Sequence, residues 1–252
     1  MKTLSKYLAA TALAALATMP VDAAPAGAVK NVVLVHGAFA DGSGWKAVSD
    51  ILTRDGYKVS IVQPPETSFE DDVAATNRIL DRQDGPAILV GHSYGGMIIT
   101  DAGNNAHVKA LVYVAAFQPD VGESLGSLGA SKPPASTAVA PSADGFLFLD
   151  PAFFHADFCA DIPTATADLM ARSQVPLSIK AAGAPAVSPA WKTKPSFAIV
   201  ATNDRAINPD LERSMYRRSH AVTTEIASSH AVYISHPAEV AALIEKAAMA
   251  AR

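Results

Sequence analysis

The chain has one cysteine, Cys159, among 252 residues, so no internal disulfide can staple it. That cysteine and the seven histidines show no zinc-ligand spacing, and no zinc site is expected. Charge is scarce: 17% of residues are Asp, Glu, Lys or Arg, and the net charge is -4. So mild an acidic balance lacks the basic face that nucleic acid requires, which removes nucleic acid as an expected partner. No Lys-Ser/Thr follows a glycine-rich loop, so a phosphate cradle is not indicated. No apolar run is long enough to cross a bilayer with ease.

What is present is a chain that is half hydrophobic, which is globular composition with length for one α/β domain. The N-terminus reads as an export signal. Lys2 and Lys6 precede an apolar stretch at residues 8–17, and Val21-Asp22-Ala23 offers a cleavage site after Ala23. The competing reading, an uncleaved anchor, needs a longer run. The expectation is a signal peptide at 1–23 and a mature protein at 24–252. It would be exported to a periplasm or the medium, with no membrane anchor after cleavage.

Residues 86–99 organise the rest. Pro86-Ala87-Ile88-Leu89-Val90 has strand character, Gly91-His92-Ser93-Tyr94-Gly95 follows, and then a second apolar stretch of helical residues. Strand, Gly-x-Ser-x-Gly and helix is the layout of a nucleophile elbow, in which a sharp turn exposes a serine beside a helix N-terminus. The glycines permit close backbone approach and unusual dihedrals. The bland alternative is a glycine-rich turn with an idle serine.

Around the elbow, apolar runs at 32–36, 57–62, 108–115, 196–201 and 222–227 alternate with helical patterns at 45–54, 69–82, 209–218 and 237–250. That alternation implies α/β architecture: a mostly parallel sheet of about six strands with helices on both faces. Residues 118–194 break the pattern. They are dense in Pro, Ala, Ser and Gly, hold no convincing strand, and read as clearly helical only at 164–172. They are expected to form a cap insertion after the fourth strand, over the carboxyl end of the sheet, within one domain.

A serine hydroxyl needs a base, and the base needs an orienting acid. His230 lies in a loop directly after the last predicted strand and is the candidate base. His36 and His92 adjoin strand ends and read as structural. Asp204 follows the strand at 196–201 and is the candidate acid, with Asp120, after the fourth strand, as competitor. An oxyanion needs preorganised N–H donors. The backbone of Tyr94 and that of Ala38, in the loop after the first strand, are the candidates, with Phe39 next. Five of the nine phenylalanines, Phe146, Phe148, Phe153, Phe154 and Phe158, fall in the insertion. Either they line an apolar pocket or they pack the cap itself. Cys159 reads as a buried small hydrophobe.

Val-Leu-Val-His-Gly-Ala-Phe, Gly-His-Ser-Tyr-Gly-Gly, Ala-Thr-Asn-Asp-Arg-Ala-Ile-x-Pro and Ser-His-Ala-Val-Tyr-x-Ser-x-Pro together resemble the α/β-hydrolase superfamily. More narrowly they resemble bacterial esterase-like members related to the plant methylesterase and hydroxynitrile lyase group. The resemblance spans about residues 31–250. It implies a Ser93-His230-Asp204 triad, Ala38 and Tyr94 as oxyanion donors, no cofactor, and a small-molecule ester substrate cleaved through an acyl-enzyme. The plant lyases carry threonine and lysine where this chain has Gly37 and Ala231, which favours the hydrolase side. Two alternatives share the scaffold. One is a cofactor-free lyase, C–C hydrolase or perhydrolase on the same triad; the other is a binding protein that has lost catalysis.

Overall fold

The computed structural model describes residues 24, 25 and 27–251. The expected export signal at 1–23 lies outside the described residues. In chain order the strands are β1 (Asn31–Val35), β2 (Lys58–Val62), β3 (Ala87–Ser93), β4 (Val108–Ala116), β5 (Val139–Pro141), β6 (Phe146–Leu149), β7 (Leu177–Ser178), β8 (Ser196–Ala201) and β9 (Val222–Ile226). Six of them form one sheet in the order β2-β1-β3-β4-β8-β9. Every neighbouring pair in it is parallel.

The helices are α1 (Lys46–Arg54), α2 (Phe69–Leu80), α3 (Gly95–Ala102), α4 (Leu125–Ser131), α5 (Pro151–Phe158), α6 (Thr164–Arg172), α7 (Ile179–Gly183), α8 (Pro209–Arg218), α9 (Val232–Ser235) and α10 (Pro237–Ala250). Successive strand residues face opposite sides, and this splits the core in two. Val32, Leu34, Ile88 and Val90 pack with Leu52 of α1 and Ile244 of α10. Val33, Val35 and Leu89 pack with Leu80 of α2, Ile98 of α3 and Met215 of α8. Both faces are covered, which is why the strands read as near-continuous apolar runs. α2 starts where the sequence places it: the Ser68 hydroxyl accepts the Asp71 N–H at 3.1 Å. Among the described residues no helix is long and apolar enough to cross a membrane.

The insertion between β4 and β8 is more ordered than its sequence indicates. It holds α4 to α7 and a second, antiparallel sheet of order β5-β6-β7. The expectation of no strand and one helix is corrected here. These strands have two to four residues, too short for a periodic signal. Their pairing is tertiary: Phe146 is in register with Ser178, and the Gln174 side chain bonds both the N–H and the C=O of Leu149.

The chain runs from β1 outward to β2, then returns across β1 to begin β3. The carboxyl ends of β1 and β3 therefore flank the point where strand order reverses, where open α/β sheets form their binding crevice.

Candidate functional site

Ser93 ends β3, and α3 begins two residues later. Its φ is +54°, a left-handed conformation that non-glycine residues adopt rarely. The flanking glycines have ordinary φ, so their role is space. A Cβ on Gly91 would lie 2.5 Å from the Gly95 carbonyl oxygen, and one on Gly95 would lie 2.7 Å from that of His36. Gly37 meets the elbow from β1: its Cβ would lie 2.6 Å from that of Ser93. The loop after β1 and the serine turn are thus in backbone contact.

The structure brings Asp204 and His230 together. His230 Nδ1 donates to Asp204 Oδ2 at 2.6 Å, with side chains 1% and 0% exposed. Asp204 Oδ1 accepts the N–H groups of Ala206 and Ile207 at 2.7 and 2.8 Å. Those bonds hold the carboxylate where the loop after β8 starts and present one oxygen to the imidazole. Behind it lies Glu212 of α8, fully buried, one oxygen accepting the Ala201 N–H at 3.2 Å. Burial, with Asp204 alongside, pushes its carboxyl well above the usual range. The competitor Asp120 is placed elsewhere, paired with Lys192 and accepting the Val121 N–H.

In the loop after β1, the Phe39 N–H is already bonded to the Val175 carbonyl at 2.9 Å. That leaves Ala38 as the loop's candidate oxyanion donor, opposite Tyr94 on the elbow. Both are buttressed by a buried polar network. Tyr94 donates its hydroxyl to Asp72 at 2.7 Å, and Asp72 also accepts the Glu66 N–H at 2.7 Å. Glu66 lies 3.5 Å from His36 Nδ1, in the residue that precedes Gly37. Burial lowers the His36 pKa and raises that of Glu66 well above its usual range.

Ser93 and His230 line one cavity of about 230 Å³. Its walls are mainly apolar: Phe39 and Phe117 from the sheet side, Leu147, Leu149 and Leu177 from the insertion, Ile207 from the loop after β8. Of the five insertion phenylalanines only Phe158 lines it; Phe154 is buried with the sheet core, and Phe148 and Phe153 are exposed. Burial pushes the Cys159 thiol up to about 12, as befits an inert hydrophobe. Among the described residues no group of three or more His, Cys, Asp or Glu could hold a metal ion.

Sequence reasoning missed several residues here. Asp161, in the insertion, accepts both the N–H and the hydroxyl of Ser229. Asp157 lines the cavity while bonded to Arg205 and Ser136. Neither sits in a motif; a carboxylate in a Pro- and Ala-rich stretch carries no local signal.

Residues 32–243 match the family model described as Alpha/beta hydrolase family. A carbendazim hydrolyzing esterase of Nocardioides sp. (strain SG-4G) is 33% identical over 114 residues, 39% of this chain and 46% of that protein. The chain thus aligns with less than half the length of that curated relative. A pyrethroid hydrolase from Sphingobium faniae JZ-2 superposes with a TM-score of 0.73 at 22% identity, covering 87% of this chain and 97% of the other. Polyneuridine aldehyde esterase gives 0.74 at 20% identity, covering 86% and 98%. Sheet order, elbow geometry and a family match over most of the chain agree, and this chain belongs to the alpha/beta hydrolase family.

Proposed function

We propose that the chain is a serine hydrolase of small, mainly apolar carboxylic esters. The observation that carries this is the buried 2.6 Å His230–Asp204 pair, which shares a cavity with a left-handed Ser93 at the end of β3. Ser93 Oγ attacks the acyl carbon while His230 Nε2 takes its proton. Asp204 fixes the tautomer with the hydrogen on Nδ1 and stabilises the imidazolium that forms. The N–H groups of Ala38 and Tyr94 hold the oxyanion. His230 returns the proton to the departing alcohol, then activates the water that cleaves the acyl-enzyme. Each step uses only the chain's own side chains and backbone N–H groups and water, so no cofactor enters. The apolar walls favour an uncharged acyl or alcohol group, and the relatives named as esterases support the ester reading. Export, with cleavage after Ala23, belongs to the same proposal and rests on the N-terminal pattern.

The test is fluorophosphonate labelling of the mature protein, with turnover of p-nitrophenyl acetate and butyrate, for wild type and Ser93→Ala. Labelling and turnover in wild type that vanish in the variant are expected. Labelling without ester turnover would transfer the triad to non-ester chemistry. Neither signal in a folded protein would leave a binding scaffold.

A further inference from the structure

His92, the residue before Ser93, is fully buried. Its Nε2 lies 3.0 Å from the backbone carbonyl oxygen of His230, 138 positions away. A carbonyl only accepts, so the ring hydrogen sits on Nε2 and donates. Nδ1 then holds the lone pair and has no hydrogen-bond partner among the described residues. Burial and the neighbouring His230 hold the His92 pKa well below the usual range, so the ring is neutral. A buried nitrogen without a partner destabilises. An apolar ring of the same size would pack here without that cost, and what histidine adds is the N–H.

The loop that carries the base needs such a bond. β9 is an edge strand with four of its five residues exposed, and the core takes the chain up again only at Ala231, Val232 and Tyr233, so apolar packing of β9 does not place the polar loop between them. Residues 229–231 are instead held from outside. Asp161 accepts the Ser229 N–H at 2.9 Å, and the Phe158 carbonyl accepts the Ala231 N–H at 3.1 Å. Both belong to the insertion. His92 is the group that ties this loop to the strand bearing Ser93. Its ring lies 4.5 Å from that of His230, centroid to centroid, and Tyr233 backs it at 4.3 Å.

We propose that His92 is a positioning residue for His230: its Nε2–H grips the backbone carbonyl of the base and sets the imidazole against Ser93. This rests on reading Ser93 and His230 as nucleophile and base.

His92→Phe keeps a ring of similar size and removes the donor, whereas His92→Gln keeps a donor. Three readouts apply to the purified mature protein: the fluorophosphonate labelling rate at Ser93, kcat and KM for p-nitrophenyl butyrate, and the low-field proton NMR signal of His230 Nδ1–H. A catalytic group misplaced by about 1 Å loses on the order of a hundredfold, so labelling and kcat of the Phe variant should fall about tenfold to a hundredfold, with KM within about threefold. The His230 signal should shift or broaden, and Gln should restore most of the loss. If the Phe variant does not fold, His92→Leu takes its place. A folded Phe or Leu variant with wild-type labelling, kcat and His230 signal overturns the proposal. So does equal impairment of the Gln and Phe variants, which would assign the effect to ring packing. If wild-type Ser93 resists the probe, the nucleophile reading falls by itself. The His230 signal of the variants then decides whether His92 holds the loop.

Discussion

Ser93, Phe39 and Glu66 are three of the five non-glycine residues with left-handed backbone among those described; Ser93 and Phe39 line the cavity, and Glu66 is buried 3.5 Å from His36 Nδ1. Strain of that kind survives only where the surroundings over-determine it. Asp72 is part of those surroundings. Burial raises its pKa from 3.8 to about 6, against the opposing hydrogen bonds from Tyr94 and Glu66. A raised carboxyl pKa means the folded state binds a proton that the unfolded state has released. The stability this supplies is complete below pH 3.8 and lost as pH rises through about 6. Asp72→Asn removes the titration, and its loss of an acceptor is the same at every pH. The variant should therefore gain on wild type between pH 4 and 7.5, by no more than about 3 kcal/mol. Thermal or urea unfolding at the two pH values measures it. A constant offset between the two proteins would show that Asp72 does not titrate in that window.

At the scale of elements, the elbow and the loop after β1 act as one unit because glycines let their backbones touch. The glycine spacing was legible in the sequence, but the reason it matters was only half legible. Close approach, not dihedral freedom, is what Gly91, Gly95 and Gly37 provide. Gly37→Ala puts a Cβ 2.6 Å from that of Ser93 and 2.7 Å from the His92 carbonyl oxygen. Backbone on both sides must shift, and with it the Ala38 N–H. Circular dichroism should show the fold retained, while Ser93 labelling and ester turnover fall about a hundredfold. Unchanged turnover would remove Ala38 from the oxyanion site. The candidate acid was also legible in outline: Asp204 follows a strand one helix before the last, whereas Asp120 follows the fourth. Only the fold shows that Asp120 pairs with Lys192 and Asp204 with His230.

At the scale of the whole molecule, the loops at the sheet's carboxyl end supply the candidate triad and the insertion supplies much of the cavity. Leu147, Leu149 and Leu177 come from strands β6 and β7, which no periodicity announced. Their places depend on antiparallel pairing within the insertion, so the size of the cavity is set by tertiary contacts. Leu147 is half-buried and lines the cavity, and removing its side chain enlarges the site at modest cost in stability. Leu147→Ala should raise the ratio of hexanoate to butyrate p-nitrophenyl ester turnover about tenfold, the lower end of what one methylene is worth in an apolar pocket. An unchanged ratio would place the acyl chain against another wall. The insertion also holds both neighbours of His230, through Asp161 and the Phe158 carbonyl, so wall and base loop are joined.

The sequence by itself determined the parallel sheet, the strand that ends at Ser93, and the chain order of Ser93, Asp204 and His230. Each rests on a local signal: a β-branched or apolar run long enough to be periodic, a turn that tolerates no side chains, or a polar residue just past a strand. Tertiary structure alone decided the insertion's sheet, which phenylalanine reaches the cavity, and the hydrogen-bond partners of His92, Asp161, Asp72 and Glu212. Partners in another element, up to the 138 positions from His92 to His230 and the 68 from Asp161 to Ser229, complete each of those bonds. A buried hydrogen bond between such residues is selected by packing in three dimensions and leaves no pattern in the neighbouring sequence.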